Sequence, residues 1–253
     1  MNSSETTQRV RGTRWCMVGI WLALAGTALP IISLAGGRLE LLMPITTFMV
    51  FMLGFLVLIV SGLVTAIGLA ISKGTAGDAS TARSWGSLAI SAVFIGIILS
   101  QRPDSGLPPI HDITTDTVNP PQFKAILPLR ADAPNPPDYA GIATASQQLA
   151  AYPDLVTLTI NKPANAVFKT AEQVVRELGW MIIDTDPTTG RIEATDTTTW
   201  FRFKDDVVIR LTPHGTSTAI DVRSKSRVGK SDLGANAHRI HAFLDQLQTR
   251  ATQ

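Results

Sequence analysis

The chain has 253 residues, of which 17% are charged and 45% are hydrophobic, whereas about 25% of the residues in an average soluble protein are charged. Only nine charged side chains lie in residues 1–101, and the other 33 lie in residues 102–253. This distribution excludes a single soluble domain and a disordered chain. The net charge of +2 also excludes a nucleic-acid-binding protein that works through bulk positive charge.

Three uncharged apolar runs occupy residues 15–36, 41–72 and 84–101. A helix needs about 20 residues to cross a bilayer, so these runs predict three transmembrane helices, the third with little length to spare. A cleaved signal peptide is the alternative for the first run, but this run exceeds a normal signal-peptide core and two further spans follow it. The spans contain no ionisable side chain, which argues against a transporter.

The basic residues beside the runs predict the orientation of the spans. Those on one side are Arg9, Arg11, Arg14, Lys73 and Arg83, and those on the other side are Arg38 and Arg102. Because Lys and Arg accumulate on the cytoplasmic side, we expect a cytoplasmic N-terminus and a C-terminal domain on the far side, which in a bacterium is the periplasm. If the third run lay in the interface instead of crossing, the domain would be cytoplasmic.

Residues 102–150 form a predicted linker between the membrane region, residues 1–101, and a globular domain, residues 151–253. Nine of the 36 residues in 102–137 are proline, which forbids a regular helix and favours extended chain. The segment is either a semi-rigid spacer or an ordered strap on the domain. We favour the strap because it offers apolar anchors at Ile110, Ile113, Val118, Phe123, Ile126 and Leu127.

Apolar periodicity in residues 151–253 predicts a strand, a helix, four strands and a second helix. The predicted bounds are 156–160, 163–179, 180–184, 191–195, 200–211, 217–227 and 232–248, with a hairpin turn at Asp205 and Asp206. This order predicts an α+β fold: three transmembrane helices, then a two-layer, helix-grip-like sandwich of an antiparallel sheet and two helices. Side-chain alternation predicts an outer sheet face with Arg202, Lys204, Asp206, Arg210, Asp221, Arg223, Lys225 and Arg227.

Four strings in this part of the chain are distinctive: PPIHDITTD at 108–116, NPPQF at 119–123, GRIEATDTTTWFRFKDDVVIR at 190–210 and DVRSKSRVGKSDLGANAHRI at 221–240. Together the strings resemble, in their order, the family known as domain of unknown function 1499. The resemblance implies a bacterial membrane-anchored or lipoprotein-like chain, with relatives in chloroplasts, and hence a bacterial inner-membrane location here. It implies no activity. The topology is also similar to helix-grip domains of lipoproteins that assist outer-membrane assembly, an analogy of fold alone.

A candidate ligand site lies where the last strand meets the last helix, with further cations on the outer sheet face beside it. Its members are Arg202, Arg210, Arg223, Ser224, Ser226, Arg227, Lys230, Ser231 and Asn236. Because a helix N-terminus favours negative charge and cations add charge-assisted hydrogen bonds, this set predicts an anion site. In the alternative interpretation, Ser231 or Asp232 caps the helix and Arg223 pairs with an acidic residue across the sheet.

His111, Asp112 and Asp116 suggest a metal site or a general base, since imidazole and carboxylate groups suit zinc or iron. No further ligand pattern accompanies them, so we favour an ion pair in which Asp112 or Asp116 ties the strap to an outward-facing arginine. The single cysteine, Cys16, excludes a thiolate zinc cluster and an intrachain disulfide. We therefore expect no metal and no cofactor.

Three hypotheses of function follow. The leading one is a membrane-anchored extracytoplasmic protein that binds an anionic ligand or a partner protein of an envelope complex. The second is a hydrolase-like enzyme that uses Asp112, Asp116 and Asp196 with nearby arginines, and the third is a structural accessory subunit of a membrane complex. The expected partners are the lipid bilayer, a membrane or envelope protein and an anionic ligand, but not a nucleic acid.

Overall fold

The computed structural model describes residues 3–72, 79–100 and 106–251. It divides into two compact units, one made of Met1–Arg102 with Trp200–Arg202 and the other of Pro103–Thr199 with Phe203–Gln253. We call the first the helical unit and the second the sheet unit.

The helical unit contains α1 (Ser3–Arg38), α2 (Pro44–Ile71) and α3 (Ala79–Ser100). By length and composition, Thr6–Arg38, Pro44–Ile71 and Thr81–Ser100 are three helices that could each cross a membrane. Each helix therefore contains nearly all of one apolar run of the sequence, and α1 and α3 begin before their runs.

Small residues mediate the contact between α1 and α2. A Cβ atom on Gly68 would lie 2.7 Å from the backbone nitrogen of Cys16, so only glycine lets the two helices approach this closely. The Ser61 hydroxyl donates to the Gly19 carbonyl oxygen at 2.8 Å, whereas Leu63 faces outward with 62% of its surface exposed. Small groups between helices and large apolar groups on the outside are typical of helix packing in lipid.

The sheet unit is built on six antiparallel strands. They are β1 (Asp112–Thr114), β2 (Leu158–Ile160), β3 (Met181–Asp186), β4 (Arg191–Thr197), β5 (Lys204–His214) and β6 (Ser217–Ser226). The strand order is β1-β6-β5-β4-β3, and β2 also pairs with β6. Because β1 pairs with residues 223–225 and β2 with residues 218–220, these two short strands lie end to end along β6.

Two helices cover one face of this sheet. α5 (Ala164–Glu177) follows Pro163, whose missing N–H is harmless at a helix start, and it ends before Gly179, whose φ of 78° suits glycine. The core residues of α5 and of α6 (Ala235–Ala251) are Val167, Phe168, Ala171, Val174, Val175, Ala237, Ile240, Phe243, Leu247 and Ala251. The predicted α+β class, with three apolar helices ahead of a helix-covered antiparallel sheet, is confirmed.

Residues 106–139, which we call the strap, cover the opposite face of the sheet. Phe123 and Ile126 are buried there against Val208 of β5. The segment is thus ordered on the domain, although Val118 and Leu127, expected as anchors, are exposed. It also contributes β1 and a 3-10 turn, and the helix α4 (Ile142–Ala151) follows it; none of these elements was predicted from the sequence.

The predicted hairpin turn at Asp205 and Asp206 is wrong. Both residues are buried inside β5, where they pair with Ser226 and Lys225 of β6. The connection between β4 and β5 instead comprises residues 198–203. Aspartate is disfavoured in strands, but arginine partners on both faces of β5 outweigh that preference here.

The last helix begins later than predicted. α6 starts at Ala235, and Leu233 ahead of it is 62% exposed with a φ of 53°. The Asp232 carboxylate accepts the N–H groups of Gly234 at 2.9 Å and Asn236 at 3.0 Å. These bonds fix a turn at the residues that the apolar pattern had assigned to the helix.

Candidate functional site

Asp112 of β1 is the centre of a buried charge cluster between the strap and β6, which we call the central cluster. Arg223 donates to both carboxylate oxygens, from Nε and from Nη2, at 2.9 Å each, and Lys225 Nζ donates at 2.9 Å. The side chains of Asp112, Arg223 and Lys225 are 0%, 0% and 1% exposed. Because water does not reach these contacts, the carboxylate is required to keep the two cations buried.

Backbone carbonyl groups of the strap accept further hydrogen bonds from these two cations. Arg223 donates to the carbonyl oxygens of Pro121 at 3.3 Å and Pro137 at 2.8 Å, and Lys225 donates to that of Asp138 at 2.6 Å. Extended proline-rich chain makes no internal hydrogen bonds, so its carbonyl groups are available for this role. The composition of the strap therefore suits it to cover a cationic sheet face.

A second buried cluster surrounds Asp206 of β5. Arg130 of the strap donates to Oδ2 at 2.6 Å, and Arg227 donates to both carboxylate oxygens at 2.8 Å. The Thr195 hydroxyl adds a hydrogen bond at 2.7 Å. Burial lowers the pKa of Arg130, and the charge of Asp206 opposes that effect.

Glu193 of β4 holds the strap through backbone groups. Its buried carboxylate accepts the N–H groups of Lys124 at 2.9 Å, Ala125 at 3.1 Å and Ile126 at 2.9 Å. Arg191 Nε also lies 2.9 Å from this carboxylate, as an ion pair too bent to count as a hydrogen bond. Three consecutive donors bound by one carboxylate fix the strap ahead of its 3-10 turn.

Arg210 of β5 lies at the edge of the strap. It donates to Asp116 at 2.9 Å, to Asp221 at 2.8 Å and to the Asn119 carbonyl oxygen at 2.9 Å. Burial alone would raise the pKa of Asp116, but hydrogen bonds from the Asn119 N–H and from Arg210 hold that pKa below its ordinary value. Asp112 and Asp116 thus both pair with outward-facing arginines.

A polar network lies on the other face of the sheet, where β6 meets α6. The Ser224 hydroxyl donates to Asn236 Oδ1 at 2.6 Å, and Asn236 Nδ2 donates to Ser226 Oγ at 3.0 Å and to the His111 carbonyl oxygen at 3.2 Å. Ser224 and Asn236 are fully buried. These groups attach the start of α6 to the sheet.

Arg239 extends this network to two carboxylates. It donates to Asp196 at 2.8 Å and to Asp205 at 2.7 Å. Asp196 therefore lies on the helix-covered face, whereas Asp112 and Asp116 lie on the strap-covered face. The three carboxylates of the enzyme hypothesis do not meet in one site.

The remaining candidate residues lie at the surface. Ser231 Oγ accepts the Leu233 N–H at 3.2 Å, and Lys230 is exposed, with its carbonyl oxygen 3.4 Å from His111 Nδ1. Arg202 lies in the connection between β4 and β5 with a φ of 61°. The residues grouped as an anion site are thus divided between two sheet faces and the surface.

A cavity of about 220 Å³ opens at the edge of the strap beside Arg210. Its lining residues are Asn119, Pro120, Pro121, Gln122, Lys124, Thr189, Arg191, Val208 and Arg210. Three of them are cations and none is a carboxylate. Lys124 is exposed, and among the described residues nothing pairs with its Nζ. We call this space the edge cavity.

Several residues of these clusters were not predicted from the sequence. Strand alternation could have revealed Glu193, because it is a charged residue among buried neighbours. Helical spacing could have revealed Arg239, because it lies three residues after Asn236 and so on the same face of the helix. Arg130 and Lys124 had no such signal because they lie in irregular chain without periodicity.

Within residues 3–72, 79–100 and 106–251, no three His, Cys, Asp or Glu side chains are placed to hold a metal ion. A family model described as "Protein of unknown function (DUF1499)" matches residues 112–247, more than half of the chain. No curated protein matches the chain. The crystal structure of TTHA0849 from Thermus thermophilus is similar over 38% of this chain and 94% of that chain, at 9% identity and a TM-score of 0.26. A likeness at that score supports no argument.

Replacing Asp112 with Asn should strongly destabilise the sheet unit. Arg223 and Lys225 would stay buried without their counter-charge, which lowers the free energy of unfolding by about 3–5 kcal/mol. Asp116→Asn is the matched control, because its partner is partly exposed and the loss there is about 1 kcal/mol. Urea unfolding of the full chain in detergent, followed by near-ultraviolet circular dichroism, measures both. Equal losses would contradict the central role of the buried cluster.

The pKa of Asp116 leads us to expect an acid-dependent contribution to stability. Because the folded-state pKa is lowered, ionised Asp116 stabilises the fold above the unfolded-state pKa of about 3.9, and this stabilisation is lost as the pH falls through the folded-state pKa. The unfolding free energies of the natural chain and Asp116→Asn should differ constantly between about pH 5 and pH 7, then begin to converge below about pH 4. Urea unfolding across this range measures the gap, and a gap that widens in acid would contradict the expectation.

Proposed function

The chain belongs to the family described as protein of unknown function (DUF1499), and we propose that it is a membrane-anchored protein whose sheet unit binds a small phosphate- or carboxylate-bearing anion in the edge cavity. One observation supports this above the others: the cavity lining contains three cations and no carboxylate. A lipid headgroup and a free metabolite both offer such chemistry.

The edge cavity combines charge with fixed geometry. Asp184 holds Arg191 at 2.8 Å, and Asp221 holds Arg210 at 2.8 Å, so both guanidinium groups are positioned before a ligand arrives. These carboxylates, together with Glu193 beside Arg191 and Asp116 beside Arg210, reduce the local positive charge, but none of the four lines the cavity. Lys124 adds an exposed cation without a carboxylate partner among the described residues.

The central cluster is less suited to a ligand. Arg223 and Lys225 have almost no accessible surface, and the strap already supplies acceptors to their N–H groups. A larger cavity of about 350 Å³ beside the start of α5 is also less suited to an anion, because both Lys169 and Glu172 line it. Of the candidate cations, we therefore propose those around Arg210, in the edge cavity, as the ones that bind the anion.

Membrane anchoring is supported by the three apolar helices of the helical unit. The excess of Lys and Arg in the first turns of α1 and around the connection between α2 and α3 supports a cytoplasmic N-terminus. With three spans, the sheet unit would then lie outside the cytoplasm, in the periplasm of a bacterial inner membrane.

Ligand binding to the edge cavity should raise the unfolding temperature of the full chain in detergent. Glycerol 3-phosphate and succinate are the probes, and neutral glycerol is the blank. A ligand at about ten times its Kd adds roughly 1.4 kcal/mol to stability. Lys124→Glu should abolish the shift by repelling the anion, whereas Lys162→Glu, an exposed lysine outside the cavity lining, should preserve it. No shift in the natural chain, or a shift that survives Lys124→Glu, would contradict the proposal.

The orientation is tested with single cysteines in a Cys16→Ala background. Thr216→Cys in the exposed β5–β6 turn should react with a membrane-impermeant maleimide in intact bacterial spheroplasts. Gln8→Cys near the N-terminus should react only after lysis. The reverse pattern would place the sheet unit in the cytoplasm, and reaction of both before lysis would contradict a cytoplasmic N-terminus.

A further inference from the structure

The connection between β4 and β5 has an unusual composition. Residues 198–203, which we call the tip loop, contain the string WFRF and are followed by Lys204, so three aromatic residues and two cations lie within five positions. Trp200 is 69% exposed, and Lys204 is exposed as well. An aromatic side chain of this size left in water is unfavourable unless something else covers it.

The tip loop is a built turn. The Thr198 N–H donates to the Phe203 carbonyl oxygen at 2.9 Å, and the Phe203 N–H donates back to Thr198 Oγ1 at 2.9 Å. Arg202 has a φ of 61°, in the left-handed region that residues with side chains rarely adopt. Trp200 therefore lies in a loop whose two ends are joined by hydrogen bonds.

The exposed Trp and the neighbouring cations of the tip loop are suited to contact a lipid surface. Trp prefers the interface between hydrocarbon and water, and Lys and Arg beside it are attracted to anionic headgroups. The covalent chain also keeps a bilayer near: residues 101–111 join α3 to β1, and at full extension they span at most about 40 Å. Trp and Arg are also common at protein–protein interfaces, but Lys, here Lys204, is depleted from the core of such interfaces.

We infer that the tip loop is an interfacial anchor that contacts the surface of a lipid bilayer, with Trp200 among the headgroups and Arg202 and Lys204 on anionic lipid. The inference rests on the membrane anchoring proposed above, but it depends neither on the edge cavity nor on which side of the membrane the sheet unit lies.

The experiment measures lipid contact in nanodiscs that contain the full chain. In a Cys16→Ala background, Thr199→Cys beside Trp200 carries an environment-sensitive nitrobenzoxadiazole label. Thr216→Cys, at the opposite end of β5, gives the reference for water, and Leu63→Cys, on the outer surface of α2, gives the reference for lipid. The quencher is a phospholipid with a nitroxide near the headgroup, in bilayers of phosphatidylcholine with phosphatidylglycerol.

The label at Thr199 should be quenched about threefold more than that at Thr216, and its emission should shift to shorter wavelength. Trp200→Ser should remove most of the difference. Lys204→Glu should reduce it in anionic bilayers and leave it unchanged in pure phosphatidylcholine, whereas Lys162→Glu should have no effect in either.

Quenching at Thr199 no greater than at Thr216 would overturn the inference. Protection of the label from aqueous iodide without lipid quenching would also overturn it, because a protein surface would then cover the loop. The Leu63 label separates the two proposals: if lipid does not quench it, membrane anchoring itself fails, and if lipid quenches it while Thr199 stays in water, only the tip-loop anchor fails.

Discussion

The ion pair between Asp112 and the cations of β6 is the constraint on which the sheet unit depends. A sheet covered by helices on one face can leave its other face in water, where alternating Arg and Lys are solvated at no cost. Here the strap excludes that water, so Arg223 and Lys225 need another source of acceptors. Because β1 carries Asp112 and pairs with the same residues of β6, backbone pairing and charge pairing reinforce one register.

Around Asp112 and Asp206, the buried layer contains more cations than carboxylates. These two carboxylates pair with four cations, and carbonyl groups of the strap and of β6 supply further acceptors. An isolated buried ion costs several kcal/mol, so removing the strap acceptors would leave this face unstable unless water replaced them. The strap is therefore part of the domain's structure and not a tether that merely connects it to the helices.

Much of this arrangement could be predicted from the sequence, and the failures have a common cause. Side-chain alternation in β6 correctly predicted that Arg223 and Lys225 lie on the face opposite the helices. The excess of proline predicted an extended segment whose aspartates pair with outward-facing arginine. The Asp205–Asp206 pair was misassigned because local propensity treats adjacent aspartates as a turn, whereas partners distant in the sequence, Arg239 and Arg227, stabilise them in a strand. Irregular chain has no periodicity, so Arg130 and Lys124 could be located only in three dimensions.

Burial of Arg223 and Lys225 also limits which parts of the surface can bind a ligand. A cation whose N–H groups are all engaged by the fold attracts little from solution, so charge counted along the sequence overstates the capacity of β6 to bind a ligand. The cations that remain available for binding lie in two places. Lys124 and the two arginines held by carboxylates line the edge cavity. Lys204 lies in the sequence close to the exposed Trp200, at the end of the tip loop. The strap that stabilises the cationic face thus also confines recognition to its edge and to the loop beyond it.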